Sequence, residues 1–109
     1  MISERYNYYL TVAAENDIDN TFEYISVELS NRDAAYNLAD KLEEKLGEIC
    51  TTPKLGKIVQ NEFLRRTDVR LIHINNYLLY YVVDEEKKRI IVLRFIFGGR
   101  NQNSVLKDM

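Results

Sequence analysis

The sequence predicts an α+β domain in which a small antiparallel β-sheet carries a helical hairpin on one face, in the order β-α-α-β-β-β. Three observations predict it. A tyrosine-rich run, YNYYLTVAA, alternates loosely near the N-terminus, as a strand does. Apolar residues then recur at helical spacing through the next stretch, up to Pro53. Three strand-like runs follow, joined by short polar links, the pattern of a meander of hairpins.

The first strand is expected over residues 6–13. From Glu15 the period changes, and Ile18, Phe22, Ile25 and Leu29 form one apolar stripe. Asn16 is the expected N-cap, with Asp17, Asp19 and Glu23 near the positive end of the helix dipole. SNRD interrupts the pattern, and Asn31 or Asp33 can cap a second helix with the stripe Ala35, Leu38, Leu42, Leu46 and Ile49. Pro53 stops that helix, and the short link between the two forces an antiparallel hairpin. PKLGKIVQNEF reads as a connection with room for a short strand. Strands are then expected over 64–74, 77–83 and 89–97, linked by Asn75-Asn76 and by DEEKK. With 109 residues the chain is expected to be one domain, 1–109.

Composition excludes several classes. Hydrophobic residues make up 46% and charged residues 29%, the balance of a folded globule. No apolar run approaches the ~20 residues of a membrane helix, and the N-terminus lacks a signal-peptide pattern, so a cytoplasmic location without membrane contact is expected. Cys50 is the single cysteine and His73 the single histidine, too few for a structural zinc site. No metal or cofactor is expected. The net charge of −2 conceals a division: residues 1–53 carry net −7 and residues 54–109 net +5. Such asymmetry fits one face built for an anionic or polar partner, or a solvated acidic hairpin beside a compensating sheet.

The candidate site residues lie in the basic half. RIIVLRFIFGGRN, residues 89–101, sets one arginine inside an apolar strand and another where it ends. Strand alternation places Ile91, Leu93 and Phe95 beneath the helices, and Ile90, Val92, Arg94 and Ile96 on a second, open face. Arg94 is then either a target-binding cation or the partner of a carboxylate such as Glu62 or Asp68. Gly98-Gly99 permits unusual dihedrals and leaves amides beside Arg100, an arrangement suited to a phosphate, or else makes a plain turn. Lys54, Lys57, Arg65, Arg66 and Arg70 form a basic run able to position a phosphate backbone. Tyr77, Tyr80 and Tyr81 are either base-stacking platforms or packing residues. His73 is either an acid–base group or a hydrogen-bonded strand residue. No nucleotide-binding glycine loop, nucleophile elbow or paired-carboxylate motif is present.

DIDNTFEYISVEL, AAYNLADKLEEKLGEICTTPKLG and VRLIHINNYLLYYVVDEEKKRIIVLRFIFGGRN together resemble the RelE/ParE superfamily of type II toxins. The resemblance covers nearly the whole chain and is most specific from Val69 to Asn101. It implies a small sheet with a helical hairpin and an activity that arrests bacterial growth. It also implies neutralisation by a co-encoded antitoxin. The target implied is either messenger RNA cleaved on the ribosome or DNA gyrase, the latter for the ParE branch. By resemblance to ribonuclease members, Arg100 matches the phosphate-contacting arginine after the last strand. Those members carry a second arginine where Tyr77 stands here, and a tail tyrosine where Leu106 stands. Arg70, His73 and Tyr80 are the residues near enough in sequence to substitute catalytically. Arg65, Arg66, Arg94, Lys54, Lys57 and Asn101 are the expected RNA- or target-binding set. A degenerate toxin serving as an antitoxin-binding or autoregulatory module is the alternative reading.

Overall fold

The structure, a computed structural model, describes residues 5–109. The expected hairpin and sheet are present, with several differences. The first strand, β1 (Asn7–Leu10), is shorter than expected, because Thr11 caps the first helix by accepting a 3.1 Å bond from the amide of Ala14. Helix α1 (Val12–Glu23) therefore starts before Asn16, and Val12 and Ala13 are helical rather than strand residues. It continues into a π-helical turn (Tyr24–Glu28). That turn inserts extra backbone, so Ile25 stays buried whereas Leu29 leaves the expected stripe and is 55% exposed.

Helix α2 (Arg32–Thr51) is capped by Asn31, whose side chain accepts from the amide of Ala34. Its buried stripe of Leu38, Leu42, Leu46 and Ile49 is the expected one. Among the described residues the sheet has five strands, ordered β1-β5-β4-β3-β2, where β2 is Lys57–Ile58, β3 Arg70–Ile74, β4 Tyr77–Asp84 and β5 Arg89–Phe97. It is mixed rather than wholly antiparallel. The helical hairpin carries the chain away from β1 and over the sheet, so β1 is left to pair in parallel with the last strand, Asn7 opposite Arg89. Residues 64–69, expected as the start of a strand, are irregular. There Asn61 accepts from the amide of Phe63 in a local turn, and Arg66 grips Asp68.

A further difference concerns the phase of β5. Tyr80 lies opposite Arg94 but Tyr81 lies opposite Val92, so Leu93 is the extra residue of a β-bulge. Ile90, Val92 and Phe95 consequently face the helices, packed with Leu79, Tyr81 and Ile49. Ile91, Leu93 and Ile96 face the other way. The expectation that Ile91 and Leu93 lie under the helices is corrected by this slip. The second face is also not open. It carries its own apolar cluster, closed by Leu64, Val69 and a short helix α3 (Gln102–Leu106) that buries Val105 and Leu106.

Tyr81 shows how the faces are fastened at one end. Its hydroxyl donates to the carbonyl of Pro53 and accepts from the amide of Gly56, both at 2.8 Å. Gly56 is required for space: a Cβ there would sit 2.8 Å from the Tyr81 ring and 3.0 Å from the carbonyl oxygen of Leu71. Gly56→Ala is expected to lower stability by about 1–3 kcal/mol, the usual cost of overpacking. A urea-unfolding midpoint unchanged by the substitution would show that this end of the sheet yields freely.

Candidate functional site

The end of β5 brings together a turn, two helices and an arginine. Gly98 donates its amide to the carbonyl of Asn76 at 2.8 Å, tying the strand end to the β3–β4 turn, where Asn75 has φ 54°. Neither Gly98 nor Gly99 has a positive φ, so the expected unusual dihedrals are absent. The glycines serve close approach instead. A Cβ on Gly98 would lie 3.1 Å from the Asn76 carbonyl, and one on Gly99 would lie 2.5 Å from the Phe97 ring. The amide of Arg100 is occupied by the carbonyl of Phe97 at 3.1 Å.

Arg100 is exposed, and its guanidinium makes no hydrogen bond or ion pair among the described residues. It stands at the rim of a groove of about 570 Å³ between α1 and the end of β5. Tyr24, Leu29, Tyr77, Phe95 and Phe97 supply the apolar walls. Tyr77 stacks on Phe95 with ring centroids 5.1 Å apart and meets Phe97 edge-on at 5.8 Å. Burial, reinforced by the neighbouring Tyr24, pushes the Tyr77 phenol up, so it stays neutral. An uncompensated cation beside exposed aromatic surface can hold a carboxylate or a phosphate whose remaining atoms are apolar.

The other candidates are placed less compactly than the sequence implied. His73 is exposed in an adjoining hollow with Asn75, Gly98 and Gly99, with Phe97 bordering both spaces. Tyr80 is 2% exposed on the second face, and burial pushes its phenol up. Its hydroxyl donates to Oε1 of Gln102 at 2.8 Å. Tyr80 and Tyr81 are therefore packing residues, and neither presents a face for base stacking. Arg70 pairs with Tyr81 across the sheet, away from the β3–β4 turn, and donates to the carbonyls of Gly56 at 2.7 Å and Lys54 at 3.4 Å. Asn101 caps α3 by accepting from the amide of Asn103.

Arg94 does not pair with Glu62 or Asp68. It grips Asp17 of α1 through Nε at 2.6 Å and Nη2 at 3.0 Å, and Asp17 also accepts from the amide of Phe95 at 3.0 Å. Those hydrogen bonds outweigh burial and push the guanidinium pKa up. The remaining cations are dispersed. Arg66 forms a two-bond pair with Asp68, whose carboxyl is held below its usual range by that contact. Arg66 also borders a hollow with Asp84, Glu85 and Glu86, and Lys54 lies 3.9 Å from Glu85. Lys57 sits on the short edge strand, and Arg65 in the 59–69 connection; both are exposed. The expected basic run is thus partly neutralised and lies apart from the groove that Arg100 borders. Gln102 and Asp17 were not singled out by the sequence as site residues, since each acts through a partner remote in the chain.

A five-stranded sheet with a helical hairpin on one face is a fold shared with solved chains of bacterial toxin systems. A chain of the RelBE2 toxin–antitoxin complex of Mycobacterium tuberculosis is 19% identical, with a TM-score of 0.62 over 85% of this chain and 98% of its own. One from the chromosomal ParDE system of P. aeruginosa is 18% identical, with a TM-score of 0.66 over 87% and 98%. A mutant of the E. coli toxin RelE in the free state is 15% identical, with a TM-score of 0.61 over 95% of each chain. At these identities the likeness is one of fold. None of the curated protein sequences matches. A family model, the ParE toxin of type II toxin–antitoxin systems (parDE), matches residues 8–102. The chain belongs to that family, within the RelE/ParE superfamily of toxins.

Proposed function

We propose that this chain is the toxin of a type II pair, that it arrests growth in the cytoplasm by binding DNA gyrase, and that a co-encoded antitoxin silences it. The observation that carries this reading is the match to the ParE family across residues 8–102. Antitoxin complexes among the structural relatives support the partner. The geometry supports binding over RNA cleavage. Tyr77, which by the resemblance stands where ribonuclease members carry a second arginine, is committed to Phe95, Tyr80 is committed to Gln102, and Arg70 is committed to backbone carbonyls. Arg100 is then an interface anchor, a common role for an arginine beside exposed aromatic residues.

Ribosome-associated mRNA cleavage is the second reading. It is favoured by the guanidinium of Arg100, uncompensated among the described residues, and by exposed His73 in the adjoining hollow. Inducible expression tests the common part of both. Growth should stop on induction and resume when the neighbouring reading frame is co-expressed, and the two proteins should co-purify as a complex that loosens with salt. A chain inert in cells that captures no neighbour-encoded protein contradicts the proposal.

A further inference from the structure

We infer that Gln102, held by the buried hydroxyl of Tyr80, is the positioning residue of Arg100; the inference rests on the reading of Arg100 as the target-contacting group. An exposed turn after a strand has little to fix it, because its side chains meet water and its backbone has left the ladder. Here the turn is fastened from below. Nε2 of Gln102 donates to the carbonyl of Arg100 at 2.8 Å and to that of Phe97 at 3.3 Å. One amide group thus spans both ends of the Phe97–Arg100 turn.

Both bonds are exposed to solvent, so water competes for the carbonyls and the amide has to be held from its other end. Gln102 is half-buried, and its oxygen is engaged by Tyr80, which is 2% exposed in the second apolar cluster. Because the two carbonyls can only accept, the Gln102 amide turns its NH2 group to them and its oxygen to the hydroxyl of buried Tyr80. The backbone of Gln102 is set independently by α3, whose Val105 and Leu106 are each 2% exposed in the same cluster. A chain of contacts therefore runs from the second face of the sheet, through one hydroxyl and one amide, to the backbone of Arg100. Among the described residues the guanidinium has no partner, while the backbone beside it is held. Pre-setting the backbone lowers the ordering cost when the guanidinium meets a target.

Two variants of the full chain test this, each compared with Arg100→Ala. Gln102→Met keeps the length of the side chain and removes its polar atoms; Tyr80→Phe removes only the hydroxyl. Backbone relaxation by NMR on protein made by cell-free synthesis should show order parameters at Gly99 and Arg100 falling from about 0.85 to below about 0.6 in Gln102→Met. A smaller fall is expected in Tyr80→Phe. Growth-arrest potency should drop at least about ten-fold in Gln102→Met, the direction expected when a contact group is misplaced. Gln102→Met should lower the melting temperature by only a few degrees, because it leaves the buried Tyr80 hydroxyl unpaired, and Tyr80→Phe should lower it less. The double variant should be no worse than Gln102→Met, because both residues act along one path. An ordered turn with full potency in Gln102→Met overturns the inference, as does a loss of potency explained by a general fall in melting temperature. Full toxicity of Arg100→Ala instead overturns the site reading on which the inference rests. If Gln102→Met does not fold, Tyr80→Phe decides through the same order parameters.

Discussion

Replacing Arg100 by alanine is expected to abolish growth arrest while leaving the melting temperature unchanged. The side chain is exposed and makes no ion pair or hydrogen bond among the described residues, so its removal costs the fold little. The C-terminal segment is tied down by Gln102, Val105 and Leu106, not by the guanidinium. If Arg100 anchors a protein interface, its truncation should weaken binding by about 2 kcal/mol or more, which is roughly thirty-fold. If it stabilises charge during RNA cleavage, the loss should be about 10²–10³-fold in rate. Arg100→Lys should restore only part of the effect, because a point charge does not reproduce a planar fork of donors. A destabilised alanine variant, or one that stays fully toxic, removes Arg100 from the site.

Asp17→Ala is expected to cost about 3–5 kcal/mol, the range for breaking a mostly buried charge pair from one side. The carboxylate and the Arg94 guanidinium are only 12% and 17% exposed, and they meet through two hydrogen bonds. Removing Asp17 strands the cation and also leaves the amide of Phe95 unsatisfied where β5 runs beyond its pairing with β1. Because the same contact docks α1 against β5, the loss should appear as a lower unfolding midpoint in urea with little change in slope. Asp17→Asn should recover part of it by accepting one of the bonds. A loss below about 1 kcal/mol for Asp17→Ala would reduce the pair to the worth of a surface contact.

Much of the architecture was legible because it rests on local pattern. The bounds of β5, 89–97, follow from a largely apolar run between DEEKK and Gly-Gly, and SNRD offers Asn31 or Asp33 as a cap ahead of a regular leucine stripe, of which Asn31 is the one used. The bulge at Leu93 left no such trace. The residues on both sides of it are apolar and both faces of the strand are covered, so either phase satisfies the alternation equally. Helix α3 escaped notice because a five-residue helix with two apolar side chains is too short to display a period. The π-helical turn was hidden for a related reason, since one extra backbone residue changes the face of Leu29 without changing the composition around it.

The candidate site divides along the same line. Gly-Gly-Arg after a strand pointed to Arg100, because that pattern is local in the chain. Arg94 and Arg70 looked equally available as cations. Their partners, Asp17 and the carbonyl of Gly56, lie far away in sequence and are chosen by packing rather than pattern. The fastening of the turn by Gln102 needs the sheet, α3 and Tyr80 in place before it has any meaning.

A gyrase supercoiling assay with the purified full chain tests the proposed target most directly, with antitoxin-bound chain as the control. Supercoiling should be inhibited in proportion to the chain added, the inhibition should vanish with Arg100→Ala or with bound antitoxin, and ribosome-associated mRNA should stay intact. Unimpaired supercoiling at concentrations that arrest growth, accompanied by cleaved mRNA, would contradict the account.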